Sequence, residues 1–485
     1  MADHPTSNLD KEEPLLYERS NEGACGVDLP SPKGLTLRTS LPMRERIGLP
    51  QLSETDVIRH FVRISRKNYD RDYGIYPLGS CTMKHNPRVS EKVARYPGFA
   101  AIHPLQPESQ AQGALQVIYE MQEWLSSLSG LPAVSLNPAA GAHGELAGMM
   151  MIRAAHARKG EKRKIVLIPD SAHGTNPATA TACGYAVRTI RTDSAGMVDF
   201  ESFKGALDSD VAALMLTNPN TCGIFERRAK EMAELLRVAG AYFYCDGANF
   251  NALVGRIRPA DFGVDVMHFN LHKTFASPHG GGGPGAGPIA ATEELRPFLP
   301  MPLVAKQDDY YKVIDNQPYS IGKLKGFYGQ FGVILRALCY ILSHGIGGLR
   351  QASEDAVLSA NYVLSQLQDH YHAPFADRCM HECLLSDKLQ RKGGVSTYDI
   401  AKALIEHEIH PMTVYFPLVV RGAMLIEPTE SEPKSALDEF IAAMRMIAQK
   451  VAAGNTSEFK RYPSTDRRID ETAAARKPKL KWDRP

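Results

Sequence analysis

The residue whose surroundings most clearly suggest chemistry is a lysine at the end of an apolar run. Lys273 lies in the stretch HFNLHKT (268–274), and a loop of unusual glycine content follows at 277–287. A lysine in this position is expected to be held inside the protein, where burial or neighbouring positive charge favours its neutral, nucleophilic form. The pattern therefore predicts a Schiff-base lysine that binds the aldehyde of pyridoxal phosphate.

A second requirement is an acid that faces the pyridine nitrogen of this cofactor. Asp246 follows the apolar run AYFYC (241–245) and precedes the small residues GAN (247–249). Open α/β sheets place their ligand crevice at the carboxyl ends of the strands, which is where this acid would lie. Neither residue is specific by itself, because most lysines lie on the solvated surface and an Asp before Gly is most often a turn residue. The hypothesis therefore depends on the combination of the two residues.

Small residues that lead into a helix provide the expected phosphate site. The segment NPAAGAHGE (137–145) would leave backbone N–H groups free at a helix N-terminus, and we assign the phosphate to Ala140, Gly141 and Ala142. His143 is predicted to lie against the pyridine ring, although a lone histidine is more often a capping or packing residue. The loops SAHGTNP (171–177) and TNPNT (217–221) are expected at the same crevice, although Asn-Pro is also a plain turn signal.

The glycine run matches two nucleotide-binding patterns by letter. Gly280, Gly282 and Gly285 fit G-x-G-x-x-G, but the residues that follow (288–292) are typical of a strand, whereas the dinucleotide fingerprint opens a helix. In a Walker A loop the Lys-Ser/Thr pair follows the glycines, and here Lys273 and Thr274 precede them. The sequence therefore favours neither a dinucleotide site nor an NTPase site.

Composition is typical of a folded, soluble protein and limits the classes of partner. The chain has 485 residues, 44% hydrophobic and 23% charged, with 56 Lys and Arg against 54 Asp and Glu. The net charge of +2 gives no global field for nucleic acid or membrane surfaces. Cys379 and Cys383 flank His381 but lack a second ligand pair, so no metal is predicted. With no signal peptide and no apolar stretch of the ~20 residues that a membrane span requires, a cytoplasmic location with reduced thiols is expected.

Apolar strand patterns alternate with helix patterns between residues 164 and 271. This alternation predicts an α/β protein with a large, mostly parallel sheet covered on both faces. The composition changes afterwards to a pattern that suits a smaller α+β domain. We expect an extended N-terminal arm (1–52), a large cofactor-binding domain (53–345), a small C-terminal domain (346–455) and a basic C-terminal tail (456–485).

Several motifs together resemble one known family. NLHKT with the glycine run, YCDGAN (244–249), HGTNPA (173–178), YPLGSCTMK (76–84) and LIEPTE (425–430) are similar to the P-proteins of the glycine cleavage system, over residues 15–482. The resemblance implies a fold-type I pyridoxal-phosphate enzyme, aspartate-aminotransferase-like, in which Lys273 holds the cofactor, Asp246 pairs with the pyridine nitrogen and His143 stacks on the ring. The implied cofactor-binding residues are Ala140, Gly141, Ala142, His143, Thr175, Asp246, Asn249, His272, Lys273 and Thr274.

The resemblance also implies the reaction and the partners. An oxidoreductase of this family, glycine dehydrogenase (decarboxylating), removes CO2 from glycine and passes the aminomethyl group to the lipoyl group of the carrier H-protein. The chain matches the lysine-bearing half of the larger single-chain P-proteins, which implies a separate subunit 1 in an α2β2 heterotetramer. Aminomethyltransferase and dihydrolipoamide dehydrogenase would be functional partners. Two alternatives stay open: another pyridoxal-phosphate enzyme of this fold, such as an aminotransferase or amino-acid lyase, and a cofactor-free scaffold subunit.

Overall fold

The structure, a computed structural model, describes residues 13–30, 34, 42, 44, 47–280, 285–375, 378–457, 459 and 470–481. Parts of the expected N-terminal arm and basic tail, and residues 281–284 of the glycine run, lie outside the described residues. The helices are α1 (Glu54–Ser65), α2 (Arg88–Ala94), α3 (Pro97–Ala100), α4 (Gln112–Ser129), α5 (Gly141–Arg158), α6 (Thr175–Ala182), α7 (Phe200–Ala206), α8 (Ala229–Ala239), α9 (Leu271–Thr274), α10 (Phe331–Leu367), α11 (Thr397–Glu406), α12 (Lys434–Ala452) and α13 (Glu471–Arg476). The strands are β1 (Ala133–Ser135), β2 (Ile165–Pro169), β3 (Ala186–Ile190), β4 (Val211–Thr217), β5 (Tyr242–Asp246), β6 (Val266–His268), β7 (Ile289–Ala291), β8 (Leu303–Gln307), β9 (Tyr310–Ile314), β10 (Cys383–Ser386), β11 (Thr413–Val414) and β12 (Ala423–Ile426).

The larger sheet has seven strands in the order β1-β7-β6-β5-β4-β2-β3. All neighbours pair in parallel except β7, which is antiparallel to both β1 and β6. Successive residues of β5 enter different hydrophobic clusters: Phe243 and Cys245 join one, and Tyr242 and Tyr244 join the other. A sheet with apolar clusters on both faces is what the alternating strand and helix patterns predict, so the expected α/β fold class is confirmed.

One strand is shorter than the sequence predicts. The apolar run 264–271 reads as a single strand, but β6 ends at His268. After β6, a further backbone hydrogen bond joins this segment to the residues before β7: the Leu271 N–H donates to the Ala286 carbonyl at 3.2 Å. The N–H groups of Lys273 and Thr274 then both donate to the Asn270 carbonyl. The expected strand-end lysine therefore lies on the single helical turn α9.

A second, smaller sheet has the antiparallel order β10-β12-β11, and it packs with α10, α11 and α12. Helix α10 runs from the large core into the small one and is kinked at Gly345. By length and composition, α10 is the one helix in the described part of the chain that is able to cross a membrane, contrary to the expectation of no such stretch. Its buried residues pack against α2, α4 and α12.

A buried ion pair joins the loop before α2 to the segment that follows β12. Lys84 is 2% exposed, and its Nζ donates to Glu430 Oε1 at 2.6 Å, to Asn251 Oδ1 at 2.9 Å and to the Tyr340 hydroxyl at 3.2 Å. Each partner comes from a different segment of the chain. The four side chains therefore hold together the loop, the turn after β5, helix α10 and the segment after β12.

Replacing one member of this pair should destabilise the protein strongly. We expect Lys84→Ala to lower the free energy of unfolding by ~3–5 kcal/mol, because Glu430 would stay buried without a counter-charge. The double variant Lys84→Met with Glu430→Gln, which removes both charges, should recover most of this loss. Urea unfolding of the three proteins measures both effects, and a loss below ~1 kcal/mol in the single variant would contradict the assignment.

Candidate active site

A cavity of about 230 Å³ opens at the carboxyl ends of the parallel strands. The last residues of β4, β5 and β6, which are Thr217, Asp246 and His268, all line it. The full lining consists of Ser80, Ala140, Gly141, Ala142, Glu145, His173, Thr175, Thr217, Thr221, Asp246, Ala248, Asn249, His268, Asn270, His272 and Lys273. Of the site residues that the sequence predicts, all except His143 and Thr274 are in this lining.

Lys273 reaches the cavity from the turn α9. Its Nζ donates a hydrogen bond to the Ser80 carbonyl at 2.7 Å. Ser80 belongs to the loop YPLGSCTMK, nearly two hundred positions earlier in the chain. The amino group is thus held by the backbone of a distant loop.

Asp246 is fixed by hydrogen bonds at the end of β5, where it is 3% exposed. Its Oδ1 accepts from the Ala248 N–H at 2.9 Å and lies 3.4 Å from His268 Nε2, while Oδ2 accepts from Asn176 at 3.4 Å. The Tyr244 hydroxyl is bonded to the other ring nitrogen of His268 at 2.6 Å. Burial lowers the pKa of His268, although the nearby Asp246 opposes this shift. The ring of His268 thus lies between the Tyr244 hydroxyl and the Asp246 carboxyl group.

The N-terminus of α5 forms the opposite wall. The N–H groups of the first helical turn have no partners within the helix and carry its positive dipole end. A side chain at Gly141 would not fit, because its Cβ would lie 2.5 Å from Asn270 Nδ2. Several buried polar atoms of the lining and of the layer behind it have no hydrogen-bond partner: Thr217 Oγ1, Asn249 Oδ1, Asn270 Oδ1, His272 Nδ1 and Thr274 Oγ1. Such atoms require a polar ligand or water.

The two histidines near the cavity occupy different places. His143 is half-buried and its Nδ1 accepts from the Ala139 N–H at 3.1 Å, which is a local bond at the start of α5. His173 lines the cavity, its Nδ1 is bonded to Thr175 Oγ1 at 2.9 Å, and its ring packs edge-on against Phe416. The structure therefore brings His173, and not His143, into the cavity wall.

Sequence reasoning missed Glu145, His173 and His268 as individual site residues. Glu145 Oε1 accepts from Thr175 Oγ1 at 2.8 Å, and one ligand atom each of Glu145, Asp246 and His268 lies within 4.8 Å of the others. Burial and the charge of Asp246 raise the pKa of Glu145 to about 8. The available signal was a charged residue among small and apolar residues at the start of the second turn of α5.

Cavity position, acid and amine together define a class of enzyme, the fold-type I pyridoxal-phosphate enzymes. Solved structures with the same fold include an inhibitor-bound glycine decarboxylase (P-protein) of the glycine cleavage system, with a TM-score of 0.70, 20% identity, and coverage of 85% of this chain and 92% of that one. A NifS-like protein (TM-score 0.60, 13% identity, 78% and 99% covered) and a sphingosine-1-phosphate lyase of Burkholderia pseudomallei (0.62, 14%, 87% and 95%) are also similar.

Sequence comparison narrows this class to one family. The model of the glycine cleavage system P-protein matches residues 30–313, and that of the glycine dehydrogenase C-terminal domain matches residues 352–467. Probable glycine dehydrogenase (decarboxylating) subunit 2 of Caulobacter vibrioides is 53% identical over 97% of this chain and 92% of its own length. That of Listeria innocua is 50% identical over 98% and 99%. The chain belongs to the glycine dehydrogenase (decarboxylating) subunit 2 family, and its reaction is the pyridoxal-phosphate-dependent decarboxylation of glycine in the glycine cleavage system.

The donor set of the cavity fits this cofactor. The lining contains the buried carboxyl group of Asp246, the start of α5 with its N–H groups, and the Lys273 amine, which is bonded to the Ser80 carbonyl. These are the groups that a pyridine nitrogen, a phosphate and an aldehyde require. The unpartnered Thr217 hydroxyl of the lining adds a donor that a phosphate or phenol oxygen of the cofactor would accept.

Glu145 should make the stability of the cofactor-free protein depend on pH. Its pKa of about 8 in the folded chain lies above its ordinary value of 4.5. Between these values the unfolded chain releases the proton and the folded chain keeps it, so stability falls as pH rises from 4.5 to 8. The side chain in Glu145→Gln is neutral at every pH. The free energy of unfolding of this variant should therefore rise relative to that of the wild type by up to ~1.4 kcal/mol per pH unit in this window. Urea unfolding at pH 5 and pH 8 tests this, and parallel pH dependences would contradict it.

Proposed function

We propose that this chain is the cofactor-bearing subunit of its enzyme, with Lys273 as the attachment point and Asp246 as the partner of the pyridine nitrogen. The observation that carries the proposal is that Lys273, Asp246 and the first turn of α5 line one cavity. When bound, pyridoxal phosphate supplies the electron sink that takes up the electron pair left by the departing carboxylate of glycine. Asp246, oriented by His268 at 3.4 Å, holds the proton on the ring nitrogen.

The remaining predicted residues are proposed to hold the cofactor's polar groups. Ala140, Gly141 and Ala142 offer the N–H groups of α5 to the phosphate. The buried Thr274 hydroxyl and the buried Nδ1 atom of His272 have no hydrogen-bond partner. Burial lowers the pKa of His272 to about 3, so its ring is neutral. Thr175 and Asn249 line the side of the cavity near Asp246 and would contact the ring substituents.

For the ring face, the geometry supports His173 better than His143. His173 is in the cavity wall and is held from behind by Phe416, with ring centroids 5.7 Å apart. His143 is engaged with the backbone of Ala139. We therefore propose that His173 packs on the pyridine ring and that His143 shapes the start of α5.

The pairing with a subunit 1 is supported by unusual apolar exposure. On α1, Ile58, Phe61 and Val62 are 53%, 56% and 45% exposed. An apolar groove of about 550 Å³ also lies between α2, α4 and α10, and Leu342 in it is 56% exposed. Apolar surface of this kind marks a protein interface. We propose that it binds subunit 1 in an α2β2 assembly in the cytoplasm.

In this setting the lipoylated H-protein receives the aminomethyl group from the subunit pair. The proposal places aminomethyltransferase and dihydrolipoamide dehydrogenase after this step, because the loaded carrier must be emptied and its dithiol reoxidised. Nothing in the net charge of +2 favours nucleic acid as a further partner.

A cofactor titration separates the residue assignments. Cofactor-free wild-type protein should acquire visible absorbance with pyridoxal phosphate, and Lys273→Ala should lack the covalent form of that absorbance. His173→Ala should raise the dissociation constant about tenfold, since a ring contact of ~1.4 kcal/mol corresponds to a factor of ten. His143→Ala is the matched control and should change it less than threefold. The reverse order would assign the ring face to His143, and a wild type that binds no cofactor would favour a scaffold subunit.

Isotope exchange tests the reaction and the subunit pairing together. We expect labelled bicarbonate to enter the carboxyl group of glycine when lipoylated H-protein is present and the chain is co-expressed with subunit 1. The chain alone should show little exchange if subunit 1 completes the site. Full exchange by the chain alone would contradict the proposed requirement for subunit 1, and transamination without CO2 exchange would indicate another enzyme of this fold.

A further inference from the structure

A loop near the start of the chain is attached to the small C-terminal sheet. Leu78 forms an isolated antiparallel bridge with Ile426 of β12, and the Thr413 hydroxyl of β11 donates to the Gly79 carbonyl at 2.9 Å. No side chain fits at Gly79, because its Cβ would lie 2.4 Å from the Leu425 side chain and 2.6 Å from its carbonyl oxygen. Residues 78 and 79 thus lie directly on β12.

Two buried carboxylates bind the next three N–H groups. Glu382 accepts from the Ser80 N–H at 2.7 Å. Glu427 accepts from the N–H groups of Cys81 and Thr82 at 3.0 and 2.8 Å, and from the Thr82 hydroxyl at 2.6 Å. Both carboxylates belong to residues that are 0% exposed. Ser80 and Thr82 have φ values of 58° and 47°, a region that non-glycine residues adopt at a cost, so outside contacts must hold this conformation.

One peptide unit connects these carboxylates with the lysine of the cavity. In the planar trans peptide between Ser80 and Cys81, the N–H and the C=O point in opposite directions. The N–H of this unit points at Glu427 Oε2, and its C=O accepts from Lys273 Nζ at 2.7 Å. The orientation that Glu427 imposes on the peptide therefore sets where the lysine amine is held.

We propose that Glu427 is a positioning residue for Lys273: it fixes the Ser80–Cys81 peptide so that the Ser80 carbonyl holds the lysine amine at the cavity wall whenever that amine is free. This inference rests on the proposed role of Lys273 as the attachment point. A held amine starts close to the approaching aldehyde, and such placement accelerates a reaction between two groups. Glu427 itself does not reach the cavity lining.

The two carboxylates are expected to play unequal parts. Their oxygens lie within 4.8 Å of each other and of a His381 ring nitrogen. Burial, together with the charge of Glu427, raises the pKa of Glu382 well above its usual range. Glu382 accepts from the Ser80 N–H, which belongs to the peptide unit before the one that holds Lys273, whereas Glu427 accepts from the Ser80–Cys81 unit itself. Glutamine at position 382 should therefore have less effect than glutamine at position 427, where it weakens three hydrogen bonds to the loop.

The test measures how fast added pyridoxal phosphate becomes attached to Lys273. The full chain, purified with any co-expressed subunit 1 and freed of cofactor, is mixed with pyridoxal phosphate, quenched with borohydride at set times and digested for mass spectrometry. We expect Glu427→Gln to slow attachment about tenfold and Glu382→Gln to stay within twofold of the wild type. Glu226→Gln is the matched control: Glu226 is also buried and accepts a backbone N–H, from Val198 at 3.0 Å, but it has no contact with the loop.

The outcomes separate this inference from the assignment on which it rests. Attachment to a different lysine in the wild type would overturn the role of Lys273. Attachment to Lys273 at wild-type rate in Glu427→Gln would overturn the positioning role of Glu427, and equal slowing in Glu226→Gln would show a general effect of losing a buried charge. If Glu427→Gln does not fold, Thr82→Val is measured instead. It removes one donor to Glu427 and should slow attachment about threefold, and an unchanged rate there would overturn the proposal.

Discussion

The rest of the site depends on how the buried carboxyl group of Asp246 is kept in place. Asp246 lies at the end of a central parallel strand with 3% exposure, so its charge must be stabilised by the protein or by a ligand. The neighbouring backbone N–H, Asn176 and His268 satisfy part of this demand. The remaining hydrogen-bonding capacity of the carboxyl group faces the cavity. A cofactor with a protonated ring nitrogen, as proposed for pyridoxal phosphate, would complete the set.

Parallel strands explain why these groups meet. Since β4, β5 and β6 run in the same direction, their last residues reach the same edge, and the turn that carries Lys273 follows directly. Helix α5 begins at this edge, so the positive end of its dipole faces the cavity. The Lys273 amine, the Asp246 carboxyl group and the start of α5 thus line one cavity because of one topology.

Much of this arrangement was predictable from the sequence. Buried apolar runs and small residues before α5 predicted the mostly parallel sheet and placed Asp246, Lys273 and the start of α5 at one crevice, which they line. The sequence predicted His143 at the ring, but in the structure His143 bonds to the Ala139 N–H while His173 lines the cavity, a difference that residue types alone do not encode. Nor could it reveal Glu382 and Glu427, since their partners are 302 and 346 positions away in the chain. Long-range hydrogen bonds of this kind leave no periodic pattern.

The attachment of the 77–84 loop to the small sheet has a consequence for biosynthesis. Glu427 and Glu430 are translated some 346 residues after the loop that they bind. Until then, Lys84 lacks Glu430, its partner in the buried ion pair. The carboxylates that hold the Ser80 and Thr82 backbone, Glu382 and Glu427, are also missing. A growing polypeptide can assemble the large sheet early, but the wall around its lysine is finished last. Nascent chains would therefore remain unable to retain the cofactor firmly until synthesis is almost complete.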